Sequence, residues 1–275
     1  MDSNNSSKII SFKDLEKKYK NEQNDDKEER KLKVEANYIF NKALREKDSN
    51  LAYEYANNAY EIDQSKYEYR VYAISKLDDE NRKLREYQAL YEEINNLISA
   101  FTANDAILKI YDESEYDKKR YCDLQYNFAT TLIKCKKYQE AYELLERLYK
   151  SKSNYRFKVK HLLLNILITE SSYHKVLDLY NHEKDDSVLT LIPLSFTYLK
   201  LNKYKEFVDT IRHIGYINPK FISFIKKEID KDGITSAKET YEIASLEEVY
   251  FAFKYFLFVY INDSDYFNKI KAILL

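Results

Sequence analysis

Four imidazoles, two thiols and a scatter of adjacent carboxylates are the groups through which this 275-residue sequence could bind metal or move protons. His161, His174, His182 and His213 are residue types that hold zinc or act as general bases, but their spacings match no common metal motif. Each reads as a surface or interhelical histidine. Cys122 and Cys135 form no C-x-x-C pair and have no clustered histidines to complete a zinc site, so both read as reduced core thiols. Glu247–Glu248 and Asp185–Asp186 are neighbours in sequence, which on a helix turns them about 100° apart instead of toward each other. They read as solvated charges or helix N-terminal residues. The sequence carries no nucleophile elbow, phosphate-cradling loop, H-E-x-x-H or dinucleotide fingerprint, and its two glycines could not build the loops those motifs need. No catalytic residue, no metal and no cofactor is predicted, and the chain is expected to be non-enzymatic.

Composition narrows the elements that could position any site. Two Gly and two Pro fall far below the usual share of about 7% and 5%, which removes the residues of tight hairpins and points away from sandwiches and barrels. Hydrophobic residues make up 44% and charged ones 33%, enough to bury a core along one stripe of each helix. A formal net charge of −1 leaves no overall field to gather nucleic acid or an anionic membrane. The 28 Tyr with no Trp, beside abundant Lys, Asn and Ile, fit the bias of an AT-rich genome; stacking platforms for bases are the alternative reading.

From residue 1 to 31 the sequence is polar and charge-dense, which predicts a flexible tail or a solvated helix. Ile9, Ile10, Phe12 and Leu15 could dock on the chain itself or on a partner. From Lys33 the pattern becomes helical. Ala36, Ile39, Phe40, Ala43 and Leu44 fall on one helix face, a turn with Asp48 or Ser49 as cap follows, and Ala52, Ala56 and Ala59 line a second helix. Longer helices over 67–77 and 80–101 precede a linker at 102–117. The segment LQYNFATTLIKCKKYQEAYELLERLY then supplies Phe128 and Ala129 in one helix, and Tyr138 and Ala141 in the next. Leu163, Leu164, Tyr173, Val176 and Tyr180 fill the same roles, as do Leu194, Ser195, Tyr198, Tyr204 and Phe207 before Pro219 ends the unit. The aromatic at the turn recurs at Tyr138, Tyr173 and Tyr204, intervals of 35 and 31 residues.

These small and large positions, with A-Y-E-I-D closing the second helix at 59–63 and K-Y-x-E-A at 137–141, resemble the tetratricopeptide repeat over residues 33 to about 225. The likeness is to bacterial proteins of poorly defined role, some of which carry a cysteine-rich metal module that this chain lacks. Gln64 stands where the repeat usually has its helix-ending Pro. The resemblance implies an all-α, right-handed solenoid of antiparallel helix hairpins, with the array at 32–229. It also implies that the first helix of each pair lines a concave groove holding a peptide or protein partner. Projected onto this chain, the groove is lined by Tyr126, Thr130 and Lys134, then Leu162, Asn165 and Thr169, then Ile192, Phe196 and Lys200. Asn165, an amide in an apolar run, could hydrogen-bond a peptide backbone or a neighbouring helix.

Residues 230–275 are expected to form hydrophobic capping helices. Ser245-x-x-Glu248 opens them as a capping box, and the apolar run 249–261 holds Lys254 and is too short for a bilayer. An open array needs its last apolar face covered, either by this segment in cis or by a second subunit in a homodimer. No signal-peptide pattern opens the sequence, so a cytoplasmic scaffold is expected. A nucleic-acid-associated repeat protein or the regulatory subunit of a larger complex is the alternative.

Overall fold

The computed structural model describes residues 12–102, 115–151 and 156–275, and these are all-helical, with no strand among them. The chain divides into two compact units, Met1–Leu97 and Ile98–Leu275. Four helices open the chain: α1 (Phe12–Arg45), α2 (Ser49–Ile62), α3 (Glu68–Ser75) and α4 (Glu80–Thr102), the last spanning the division. Residues 12–31, expected as a tail or a solvated helix, are the beginning of α1, and 27–32 are exposed there. Ile9, Ile10 and linker residues 103–114 lie outside the described residues, and of Phe12 and Leu15 only the backbone is described.

Small side chains explain how α1 and α2 meet. Ala36 and Ala43 of α1 and Ala52, Ala56 and Ala59 of α2 are buried completely or nearly so, which lets two helix backbones approach closely. The Asp48 carboxylate caps α2, accepting from the Asn50 and Leu51 amides at 2.8 and 3.0 Å. From α3, the Tyr69 hydroxyl donates to Asn37 Oδ1 at 2.5 Å and that of Tyr72 to the Ala43 carbonyl at 3.2 Å, and Phe40 packs between the two rings. Leu44, expected in this core, is 50% exposed. One residue beyond Ala43, it is turned about 100° off the face that α2 covers.

The second unit contains α5 (Glu115–Lys134), α6 (Tyr138–Lys150), α7 (Arg156–Thr169), α8 (Tyr173–His182), α9 (Val188–Lys200) and α10 (Tyr204–Ile217). It continues with α11 (Pro219–Lys226), α12 (Lys231–Ser236), α13 (Leu246–Phe253), α14 (Leu257–Ile261) and α15 (Ser264–Leu274). From α5 to α11 each helix packs on the next, and α7 also packs on α9. Pro219 starts α11 where it was read as closing the preceding unit; at the first helical position its missing N–H is no loss.

One turn recurs three times. Lys136, Ser171 and Asn202 have φ of 60°, 56° and 57°, and each is followed two residues later by the Tyr that begins the next helix. Around each, two backbone bonds close the preceding helix. Lys136 N–H reaches Ile133 O and Lys137 N–H reaches Leu132 O; Ser171 and Ser172 reach Ile168 and Leu167 in the same way, and Asn202 and Lys203 reach Leu199 and Tyr198. This is the Schellman closure, in a conformation that favours glycine. The positions around it are equivalent too: Ala141, Val176 and Phe207, three residues after each Tyr start, are fully buried. Lys136→Gly and Ser171→Gly should each stabilise the chain by about 1 kcal/mol in urea unfolding, and Asn202→Gly by less, because Asn tolerates this conformation.

Candidate functional site

Among the described residues, the first-helix face of the second unit and a cleft within the first bear most directly on a site. On the former, the nine expected groove residues divide sharply. Tyr126, Thr130, Leu162, Asn165, Ile192 and Phe196 are buried, Thr169 is half-buried, and Lys134 and Lys200 are exposed. What covers Asn165 and Phe196 is the chain's own C-terminal segment. Phe196 meets the Tyr260 and Tyr266 rings edge-on, with centroids at 5.2 and 5.1 Å. The Tyr260 hydroxyl donates to Asn165 Oδ1, the hydroxyls of Tyr266 and Ser195 are 2.8 Å apart, and Lys200 pairs with Asp263. These residues therefore form no open groove in this structure. Thr130 and Thr169 turn their hydroxyls back to the carbonyls of Asn127 and Asn165.

The C-terminal segment, for which an intramolecular cap and a homodimer contact were the alternatives, packs on its own chain: α13 on α9 and α11, and α15 on α10 and α11. Its apolar run breaks into α13 and α14, and Phe251, Phe253, Phe256, Tyr260, Tyr266 and Ile270 are fully buried. Ser245 caps α13, accepting from the Glu248 amide at 3.1 Å. Glu248 itself is buried and accepts from Asn218 Nδ2 and the Ala244 amide at 2.8 and 2.9 Å, while burial pushes its pKa up.

Beneath this segment lies a polar cluster that the sequence only partly revealed. Pro193 sits inside α9 and has no N–H to give the Leu189 carbonyl, four residues earlier. His161 Nδ1 from α7 lies 3.0 Å from that carbonyl. The same Nδ1 lies 3.0 Å from Asn165 Nδ2, and the other ring nitrogen, Nε2, is buried with no hydrogen-bond partner among the described residues. Burial lowers the His161 pKa from 6.5 to about 4. Asn165 Nδ2 donates to the His161 carbonyl at 2.8 Å, so this amide satisfies a backbone group of its own helix and a tyrosine of the C-terminal segment. Next to it Lys160, also fully buried, donates to the Glu183 carbonyl and lies 3.7 Å from Asp185 Oδ2, which also accepts from Thr190. Lys160 gave no sequence signal beyond its place between Val159 and the apolar run. His174 and His182 are exposed, and His213 lies half-buried 3.8 Å from Asp186. The four histidines therefore do not converge. The cluster ties helices together: apart from His161 Nε2, the hydrogen bonds described for it go to backbone carbonyls, to one another and to Tyr260.

The second place is a cleft of about 470 Å³ between α2 and α4, with Arg70 of α3 at its edge. Tyr53 faces Glu86 and Tyr60 faces Glu93 across it, so the two helices advance together in the same direction. Glu86 accepts from Arg70 at 2.6 Å and from Arg82 at 3.0 Å, and both guanidiniums lie over the Tyr53 ring. The Tyr60 hydroxyl donates to Glu93 at 3.0 Å, and burial, then the Glu93 charge, raises its pKa.

Neither a protein-family model nor a curated protein sequence matches the chain significantly. No helix among the described residues is long and apolar enough to cross a membrane.

Proposed function

We propose that the chain is a non-enzymatic, tetratricopeptide-like scaffold that binds a segment of a protein partner, built as a right-handed solenoid of helix hairpins. The observation that carries this reading is the recurring turn: the same closure, followed by the same Tyr start and the same buried third position, at 136–141, 171–176 and 202–207. A chain that meets one local problem three times in one way is built from repeated units. Contacts offset by a near-constant interval add to it. Tyr53 with Glu86 and Tyr60 with Glu93 are each 33 residues apart, and Tyr149 donates to Glu183 across 34. Such arrays offer extended surfaces for protein segments. Lys160, Asn165 and Glu248 are occupied in holding helices together.

Affinity capture with the full chain, from the cell that makes it and in the presence of nuclease, should recover a discrete protein that survives moderate salt. Recovery that depends on nucleic acid, together with tight binding of single-stranded oligonucleotides at low salt, would instead establish the nucleic-acid reading.

A further inference from the structure

The α2–α4 cleft has two electrostatic ends. At one, Arg70 and Arg82 pair with Glu86, and the Arg85 side chain, which lines the cleft, makes no hydrogen bond or ion pair among the described residues and meets Asp79 only through the longer-range field. At the other end stand Glu61 and Glu93, which accept hydrogen bonds from the neutral groups Asn57 and Tyr60. Between them the floor is apolar, formed by Ala89 and the buried Leu90. The basic end keeps an excess of cationic charge and the acidic end an excess of anionic charge, so a ligand of one sign would gain at one end and be repelled at the other.

A scale follows from helix geometry. Arg85 and Glu93 are eight residues apart on α4, about 12 Å along its axis. An extended chain covers that distance in three to four residues at about 3.3 Å each. We propose that this cleft is a docking site for an extended peptide segment carrying one acidic and one basic residue three or four positions apart, with an apolar side chain between them on Leu90. The acidic residue lies against Arg85 and Arg70, and the basic one against Glu93 and Glu61. A polyanion such as nucleic acid does not fit, because it would have to lie along Glu61 and Glu93. This assignment rests on the scaffold reading and names where, and by what chemistry, a partner segment is held.

The test uses the full chain and phage-displayed peptide libraries of four kinds: acidic then basic, basic then acidic, two acidic, or two basic residues, each pair fixed three or four positions apart. One of the mixed-charge libraries is expected to enrich, and the like-charged ones are not. A fluorescent copy of the enriched peptide should then bind Arg85→Glu and Glu93→Gln each about tenfold more weakly than the parent chain; Arg85 is a charge at the rim and Gln at 93 keeps an acceptor for the Tyr60 hydroxyl, so melting temperatures should be unchanged. Equal enrichment of like-charged libraries, or affinity indifferent to both substitutions, overturns the cleft assignment and leaves the scaffold reading standing. No enrichment from any library likewise overturns the cleft assignment, while the scaffold reading is tested by the affinity capture.

Discussion

Phe196→Ala is expected to destabilise the folded chain by about 3 to 5 kcal/mol, read as a fall in the urea midpoint. Phe196 was expected to line an open groove, where truncation would change partner binding and little else. In the structure it is buried, between the rings of Tyr260 and Tyr266, and the Lys200 ammonium also lies over its ring at 5.1 Å. Truncation removes the partner of both tyrosines and leaves a cavity where α14 and α15 meet α9. Edge-to-face aromatic pairs contribute about 0.5 to 1.5 kcal/mol beyond area burial, so the loss should sit at the upper end of the range. A change within about 0.5 kcal/mol, the range of surface substitutions, would mean that the C-terminal helices do not cover α9.

The second large effect is on pH dependence. His161 is neutral in the folded chain, and its folded pKa of about 4 lies below the ordinary value of 6.5. More than about one unit above pH 6.5 both states are neutral and the difference contributes nothing. As pH falls, the unfolded imidazole takes a proton that the folded one refuses, so stability is lost by up to about 1.4 kcal/mol per pH unit. Roughly 3 kcal/mol should be lost by pH 4. His161→Gln, which can still donate to the Leu189 carbonyl, should remove this slope, and the difference between the two urea-midpoint profiles isolates it. Glu248, whose pKa burial raises, acts in the opposite direction as pH falls but is common to both proteins and cancels. Parallel profiles from pH 7 to 4 would show that the imidazole is not held as described.

The helices were legible because their signals are local. Asp48 as a cap, the alanines of α2, and Tyr138, Tyr173 and Tyr204 at three helix starts all follow from spacing and residue type. What escaped was set by long-range packing. The run from 249 to 261 is apolar on every side and has no period to reveal that it breaks after Phe253, which is what lets Phe253, Phe256 and Tyr260 all be buried. Asn165 was read as facing either a peptide or a neighbouring helix, and the tyrosine it meets lies 95 residues away in sequence, beyond the reach of any local pattern. Pro193 was visible, but its meaning depends on His161 being brought beside the carbonyl it strands. The cleft between α2 and α4 escaped because its lining comes from three helices and its charges look, in sequence, like ordinary solvated faces.

The most direct measurement is a double-mutant cycle between Asn165→Ala and Tyr260→Phe. If the C-terminal helices occupy the face formed by α7 and α9, the two residues share a buried hydrogen bond, and their effects on unfolding free energy should fall short of additivity by about 1 kcal/mol. Effects that add within about 0.3 kcal/mol would mean that the two side chains do not meet and that this face is open.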